Sequence, residues 1–274
     1  MNKKNKQIRI LFFGDIFSEN GIIAVAKNID KIKQKYNVDF TIAQAENVTD
    51  RKGFSEEDYS RLKKIGIDAF TLGNHVWAKD GIFNIINCND VIRPYNIPSS
   101  YAGHGSSVFK VNNSTLRVTS MMGICFNKLL KPWGDEYALN FFDAADSLIN
   151  NSANQKADFH FMDFHAETTS EKYTFALYLD GKIDAFCGTH THVQTNDAHV
   201  LPKGTCYITD VGMCGPYDCS IGANFQEVYE HMRYQSRSIF RPSENQSQVN
   251  AAYIELNTID KHLNKIEAIK ILPY

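Results

Sequence analysis

The feature that most constrains this chain is a set of five short apolar runs, each stopping at a turn rich in oxygen and nitrogen donors. The runs cover residues 8–13, 40–43, 69–72, 159–164 and 185–187. They lead into Gly14-Asp15, Ala45-Glu46-Asn47, Gly73-Asn74-His75, Asp163-Phe164-His165 and Gly188-Thr189-His190-Thr191-His192. Apolar runs this short and continuous read as strands buried on both faces. Helical patterns lie between them. Residues 21–36 place Ile22, Val25, Ala26, Ile29 and Ile32 on one face and lysines on the other, the spacing of an amphipathic helix. Residues 55–65 open on Ser55 with Asp58 three positions on and carry Tyr59, Leu62 and Ile65 as an apolar stripe, a capped helix.

Strands alternating with helices predict an α/β architecture whose functional groups gather at the carboxyl ends of the strands. Two further strand pairs are expected to be antiparallel: residues 106–111 with 116–121 around Asn112-Asn113, and 249–256 with 265–272. Residues 122–138 and 210–222, rich in Gly, Pro and polar side chains, read as long loops. No repeat or low-complexity linker interrupts the chain, so one domain is expected over residues 1–274.

If the strands are neighbours in a sheet, the donor-bearing turns converge at one edge. Carboxylates, amides and imidazoles brought together there suit hard or borderline divalent metals. Asp15 and Glu46 have no lysine or arginine in their segments, and two carboxylates set side by side without a cation repel and resist ionising. Each residue alone has a plainer role, Asp15 as a turn or cap and Glu46-Asn47 as a solvated turn. Their joint occurrence at separate strand ends favours a metal centre. His190 and His192 stand at alternate positions, which in an extended segment point the same way. His104, His160, His199, His231 and His262 lie elsewhere; His160 reads as a satisfied strand histidine, and only His199, close behind His192, is kept as a candidate.

The charge balance, 31 acidic against 29 basic residues, offers no general attraction to duplex nucleic acid or an anionic membrane. No apolar stretch reaches the ~20 residues of a membrane span, and no signal-peptide core follows the basic residues 1–6. The six cysteines form no C-x-x-C pair, which fits reduced thiols. A cytoplasmic protein is expected. Phosphate-binding loops, dinucleotide fingerprints and nucleophile elbows are absent from the sequence. His165-Ala166-Glu167 copies half of a zinc-deaminase signature, but Cys214 and Cys219 lack the matching P-C-x-x-C. An amidohydrolase would place its H-x-H pair after an early strand, where this chain has Asp15.

Taken in order, Gly14-Asp15-Ile16, Ala45-Glu46-Asn47, Gly73-Asn74-His75-Val76-Trp77, Asp163-Phe164-His165-Ala166-Glu167, residues 188–195 and Thr209-Asp210-Val211-Gly212-Met213 resemble the calcineurin-like metallophosphoesterases. Within them the chain resembles the YmdB-like family of bacterial phosphodiesterases. Phe17, where the wider superfamily has a histidine, and Glu46, where it has an aspartate, are departures typical of that branch. The resemblance implies the calcineurin-like fold, a layered α/β/β/α sandwich with mixed sheets. It implies two metal ions, one on Asp15, Glu46, Asn47 and His192 and the other on Glu46, Asn74, His165 and His190, with Glu46 bridging. Iron is the ion it points to, while manganese and zinc suit the donors equally. His75 is left free to protonate the departing alkoxide, or else to orient substrate. The implied reaction is hydrolysis of cyclic nucleotides, 2′,3′-cyclic mononucleotides above all, by a metal-activated hydroxide at a dinuclear centre. Alternatives are a 3′,5′-cyclic nucleotide or a phosphomonoester as substrate, or a regulator that binds nucleotide without turnover. Phe17, Trp77, Trp133 and Tyr217 are candidate base-stacking aromatics, and the loop over 209–222 is expected near the site. A small-molecule phosphodiester is the expected partner, and a homo-oligomer is compatible with the sequence.

Overall fold

The computed structural model describes residues 6–129, 137–151 and 156–273; Trp133, part of the 122–138 loop and the basic residues 1–5 lie outside them. In chain order the strands are β1 (Gln7–Phe13), β2 (Asp15–Ile16), β3 (Phe40–Gln44), β4 (Ala69–Thr71), β5 (Val91–Ile92), β6 (Ser106–Val111), β7 (Ser114–Met122), β8 (Phe159–His165), β9 (Ala185–Thr189), β10 (His199–Val200), β11 (Cys206–Ile208), β12 (Met213–Pro216), β13 (Ser247–Asn257) and β14 (Lys265–Ile271). The α-helices are α1 (Ser18–Tyr36), α2 (Glu56–Ile65), α3 (Phe141–Asn151), α4 (Thr169–Leu179) and α5 (Phe225–Tyr234).

The strands form two mixed sheets, one in the order β2-β12-β13-β1-β3-β4-β5 with β14 also on β13, the other β10-β11-β9-β8-β7-β6. β1, β3, β4 and β5 are parallel, as are β7, β8, β9 and β11, whereas β13 runs antiparallel to β1, β12 and β14. The expected hairpin around Asn112-Asn113 is β6-β7, and the carboxyl-terminal pair is β13-β14.

The apolar runs are continuous because each strand feeds two cores. In β1, Ile8, Ile10 and Phe12 pack with Phe159 and Phe161 of β8 between the sheets, while Leu11 and Phe13 pack with Ile22, Val25 and Ile29 of α1 on the outer face. In β8 the alternate residues Met162 and Phe164 join Phe141 of α3 and Phe175 of α4. The side-chain period of two thus sends successive residues to opposite layers. Helices cover both outer faces, and the layers run α/β/β/α as the resemblance implies. α2 starts as expected: Ser55 Oγ accepts the Asp58 N–H at 3.2 Å, a cap whose loss costs about 1 kcal/mol. It ends at Gly66, whose φ of 100° satisfies a left-handed stop.

Two expectations need correction. Residues 210–222 are not all loop: β12 lies within them and pairs with β2 in parallel and with β13. Four residues backed by glycines carry too little apolar periodicity to register as a strand. His199 sits in β10, with Nδ1 2.6 Å from its near neighbour's carbonyl, Asp197 O, and its ring against Tyr207. None of its contacts joins it to the donor-bearing turns. His160 is the satisfied strand histidine expected: Nε2 lies 2.9 Å from Thr119 Oγ1, and burial, helped by Arg117 and Lys261, lowers its pKa to about 3.

Candidate metal centre

β1, β3 and β4 are adjacent and parallel, so the residues after them, Asp15, Glu46-Asn47 and Asn74-His75, emerge at one edge of the first sheet. β8 and β9 are adjacent and parallel in the second sheet and deliver His165 and His190 to the same edge. Stacking the sheets closes the set.

Around Glu46, His165 and His190 the donor atoms all lie within 4.8 Å of one another. His165 Nε2 is 3.0 Å from Glu46 Oε1, 3.0 Å from Asn74 Oδ1 and 2.9 Å from His190 Nδ1. A second group is built on Asp15, whose Oδ1 is 3.6 Å from His192 Nε2 and 3.2 Å from Asn47 Nδ2. Asn47 Nδ2 is also 3.2 Å from His192 Nε2. Every residue of the expected set is therefore brought together: Asp15, Glu46, Asn47, Asn74, His75, His165, His190 and His192. Turning the Asn47 amide over would place its oxygen beside Asp15 and His192 and give its NH2 to His75 Nδ1, now 2.9 Å from Oδ1.

Glu46 Oε1 is the atom that speaks most directly for a cation. It is shielded from water, lies 3.0 and 3.1 Å from the ring nitrogens of His165 and His75, and makes no hydrogen bond. A buried carboxylate oxygen without a hydrogen bond is costly, and a ring of lone-pair donors with such an oxygen at its middle suits a metal ion. Among the described residues no lysine or arginine pairs with Asp15 or Glu46.

In the ion-free protein the neighbouring imidazoles offset these carboxylates. Burial pushes Glu46 up, but His165 and His75 outweigh it and hold the carboxyl well below its usual range. Burial likewise pushes Asp15 up, and His192 brings it below the ordinary value. His165 is pushed down by burial and raised more strongly by Glu46 and Asp15, to about 9. His190 goes the other way, lowered to about 3 by burial and by the neighbouring His165. Neighbouring groups whose pKa values are driven apart mark a functional site.

The supporting contacts were less visible in the sequence. His192 Nδ1 lies 2.9 Å from the Ile221 carbonyl, and a proton donated there turns Nε2 toward Asp15 as the nitrogen that could hold a metal ion. His165 Nδ1 lies 2.9 Å from Thr189 Oγ1, whose own proton goes to Asp163 Oδ1 at 2.7 Å, and 3.1 Å from the Gln44 amide, whose oxygen accepts the Glu46 N–H. These contacts hold the ring with Nε2 toward Glu46 and His190. Asp163 also accepts from Thr71 Oγ1 at 2.5 Å, and burial raises its pKa to about 7. An acid inside an apolar run was the signal for Asp163. A Cβ on Gly73 would overlap the His165 ring, so the glycine of Gly73-Asn74-His75 makes room for that ring.

The reasoning that paired His190 with His192 is corrected. β9 ends at Thr189, and the two histidines have φ values of 101° and 65°, so they do not alternate on an extended segment. The bent turn aims His190 at Glu46 and His165 and His192 at Asp15. Left-handed backbone is unfavourable for such side chains and is tolerated where the surroundings impose it. Phe17 packs edge-on against His192 at 5.6 Å between ring centroids.

The model of the YmdB-like protein family matches residues 11–269. The chain belongs to the YmdB-like family. A Bacillus subtilis relative named 2′,3′-cyclic-nucleotide 2′-phosphodiesterase is 39% identical over 265 residues, covering 96% of this chain and 97% of the relative. A solved structure described as a novel phosphatase from Mycoplasma pneumoniae is 37% identical, with a TM-score of 0.87 over 97% of this chain and 94% of that one. The Haemophilus influenzae NAD nucleotidase shares the fold alone, with a TM-score of 0.62 at 13% identity, over 98% of this chain and 57% of that one. For a YmdB-like chain the α/β/β/α sandwich is the expected frame.

Proposed function

We propose that this YmdB-like protein hydrolyses phosphoric diesters, with 2′,3′-cyclic mononucleotides as its preferred substrates, at a centre holding two metal ions. The observation that carries the metal reading is Glu46 Oε1, buried, without a hydrogen bond and ringed by imidazole nitrogens. Asp15, Glu46, Asn47 and His192 would hold one ion and Glu46, Asn74, His165 and His190 the other. Mixed nitrogen and oxygen donors suit iron, manganese and zinc, and iron is the first to test. When bound, the ions supply a water of lowered pKa and stabilise charge on the phosphoryl oxygens. The name of the Bacillus relative supports the choice of substrate.

The chain's own groups position the ester and move the proton. His75 donates its backbone N–H to Glu46 Oε2 at 2.8 Å, and with the Asn47 amide turned over its Nδ1 accepts from that NH2, which leaves the ring proton on Nε2. Among the described residues no hydrogen bond or ion pair engages its Nε2, and the side chain is 15% exposed, so this nitrogen can give a proton to the leaving alkoxide. The protein acts as one domain in the cytoplasm on a small molecule, without duplex nucleic acid; no described helix is long and apolar enough to cross a membrane.

Turnover of 2′,3′-cyclic AMP, 3′,5′-cyclic AMP and a nitrophenyl phosphodiester tests this reading. The 2′,3′-cyclic substrate is expected to be the fastest, and His75→Ala to lower kcat by about 10²- to 10⁴-fold with the metal retained. Unchanged turnover in His75→Ala would remove the acid assignment, and no turnover by metal-loaded protein would remove the activity.

A further inference from the structure

His165-Ala166-Glu167 carries an acid that the proposed ligand set leaves unused. Glu167 lies between β8 and α4, and its side chain is 49% exposed. Its Oε2 is nevertheless 3.0 Å from His190 Nε2. The other ring nitrogen of His190, Nδ1, is the one that meets His165 Nε2, at 2.9 Å. The backbone N–H of His190 goes to Asp15 Oδ2 at 3.2 Å, so Asp15 holds the main chain and not the ring. Among the described residues no other hydrogen bond or ion pair reaches Nε2. A neutral imidazole has one bare nitrogen and one N–H, and the partner of the N–H decides which is which. A carboxylate in that place also raises the basicity of the bare nitrogen.

From this geometry we infer that Glu167 is a positioning residue: it accepts the Nε2 proton of His190 and so presents a bare Nδ1 to the donors around Glu46. The inference rests on the metal reading above for its consequence, but the proton placement stands independently of any ion. Glu167 complements the contact from Ile221 to His192, so both histidines of the bent turn are set by a group beyond the metal donors.

Two readouts test it, each on full-length Glu167→Ala and Glu167→Gln. In metal-free protein, ring ¹⁵N NMR is expected to show His190 as the Nε2–H tautomer in the wild type, and to show loss of that preference in Glu167→Ala. In chelator competition with Mn²⁺ alone, Glu167→Ala is expected to bind about 10- to 100-fold more weakly. Glu167→Gln, which keeps an oxygen acceptor, is expected to fall between, and the thermal midpoint of the metal-free variants should match the wild type. A wild-type His190 protonated on Nδ1, or a Glu167→Ala variant that binds Mn²⁺ as tightly as the wild type, would overturn the inference. A wild type that binds no Mn²⁺ yet keeps the Nε2–H tautomer would instead count against the metal reading and leave the proton placement standing.

Discussion

His165 shows how one residue links the fold to the chemistry. Its ring is fully buried beside Glu46 and Asp15, whose charges raise its pKa to about 9 despite burial. The sign of the resulting pH dependence follows: below about 9 the ion-free ring carries a proton that a metal must displace, and above it the nitrogen is already bare. Metal affinity is therefore expected to rise about tenfold per pH unit from pH 6 toward 9 for this proton, then to flatten. Chelator competition at stepped pH measures it; an affinity that is flat below pH 9 would contradict this. The donors themselves were legible because carboxylate, amide and imidazole residues recur at strand ends. The supporting contacts were not. Ile221 acts through its carbonyl, which every residue has, and Glu167 through a bend that the sequence does not announce. The spacing of His190 and His192 gave the right pair for the wrong reason, since the positive φ values replace the assumed extended geometry.

Among the elements, α4 contributes a buried ion pair that holds the turn between His190 and His192. Lys172 Nζ lies 2.7 Å from Asp210 Oδ2, with side-chain exposures of 0% and 1%. The same Oδ2 accepts the Thr191 N–H at 3.1 Å and its hydroxyl at 2.8 Å. Removing one partner strands the other charge in the core. Lys172→Met is expected to lose about 3–5 kcal/mol of unfolding free energy, with part recovered in Lys172→Met/Asp210→Asn. Denaturant unfolding measures both; a loss below about 1 kcal/mol would contradict the account. Elements that carry strong apolar periodicity, such as β1, β8 and α1, were readable in advance. β12 was not, because a strand of four residues is specified by its neighbours β2 and β13 rather than by its own pattern.

On the scale of the whole molecule, two sheets must stack in one orientation for the site to exist. Asp15, Glu46 and Asn74 come from the first sheet, and His165 and His190 from the second. The shared core between the sheets, with Phe12 and Phe161 in edge contact at 4.9 Å between centroids, fixes that orientation. Strand order and sheet partition are long-range properties, and motif order alone did not state them; the family resemblance implied the layered sandwich of mixed sheets but not the order of strands within them. The central claim is that this stacking builds a centre for two ions that acts on cyclic phosphodiesters. Its most direct test is to titrate metal-free protein with iron or manganese while following 2′,3′-cyclic AMP hydrolysis. The account predicts a rate that saturates at two ions per chain; saturation at one ion, or a rate indifferent to metal, would contradict it.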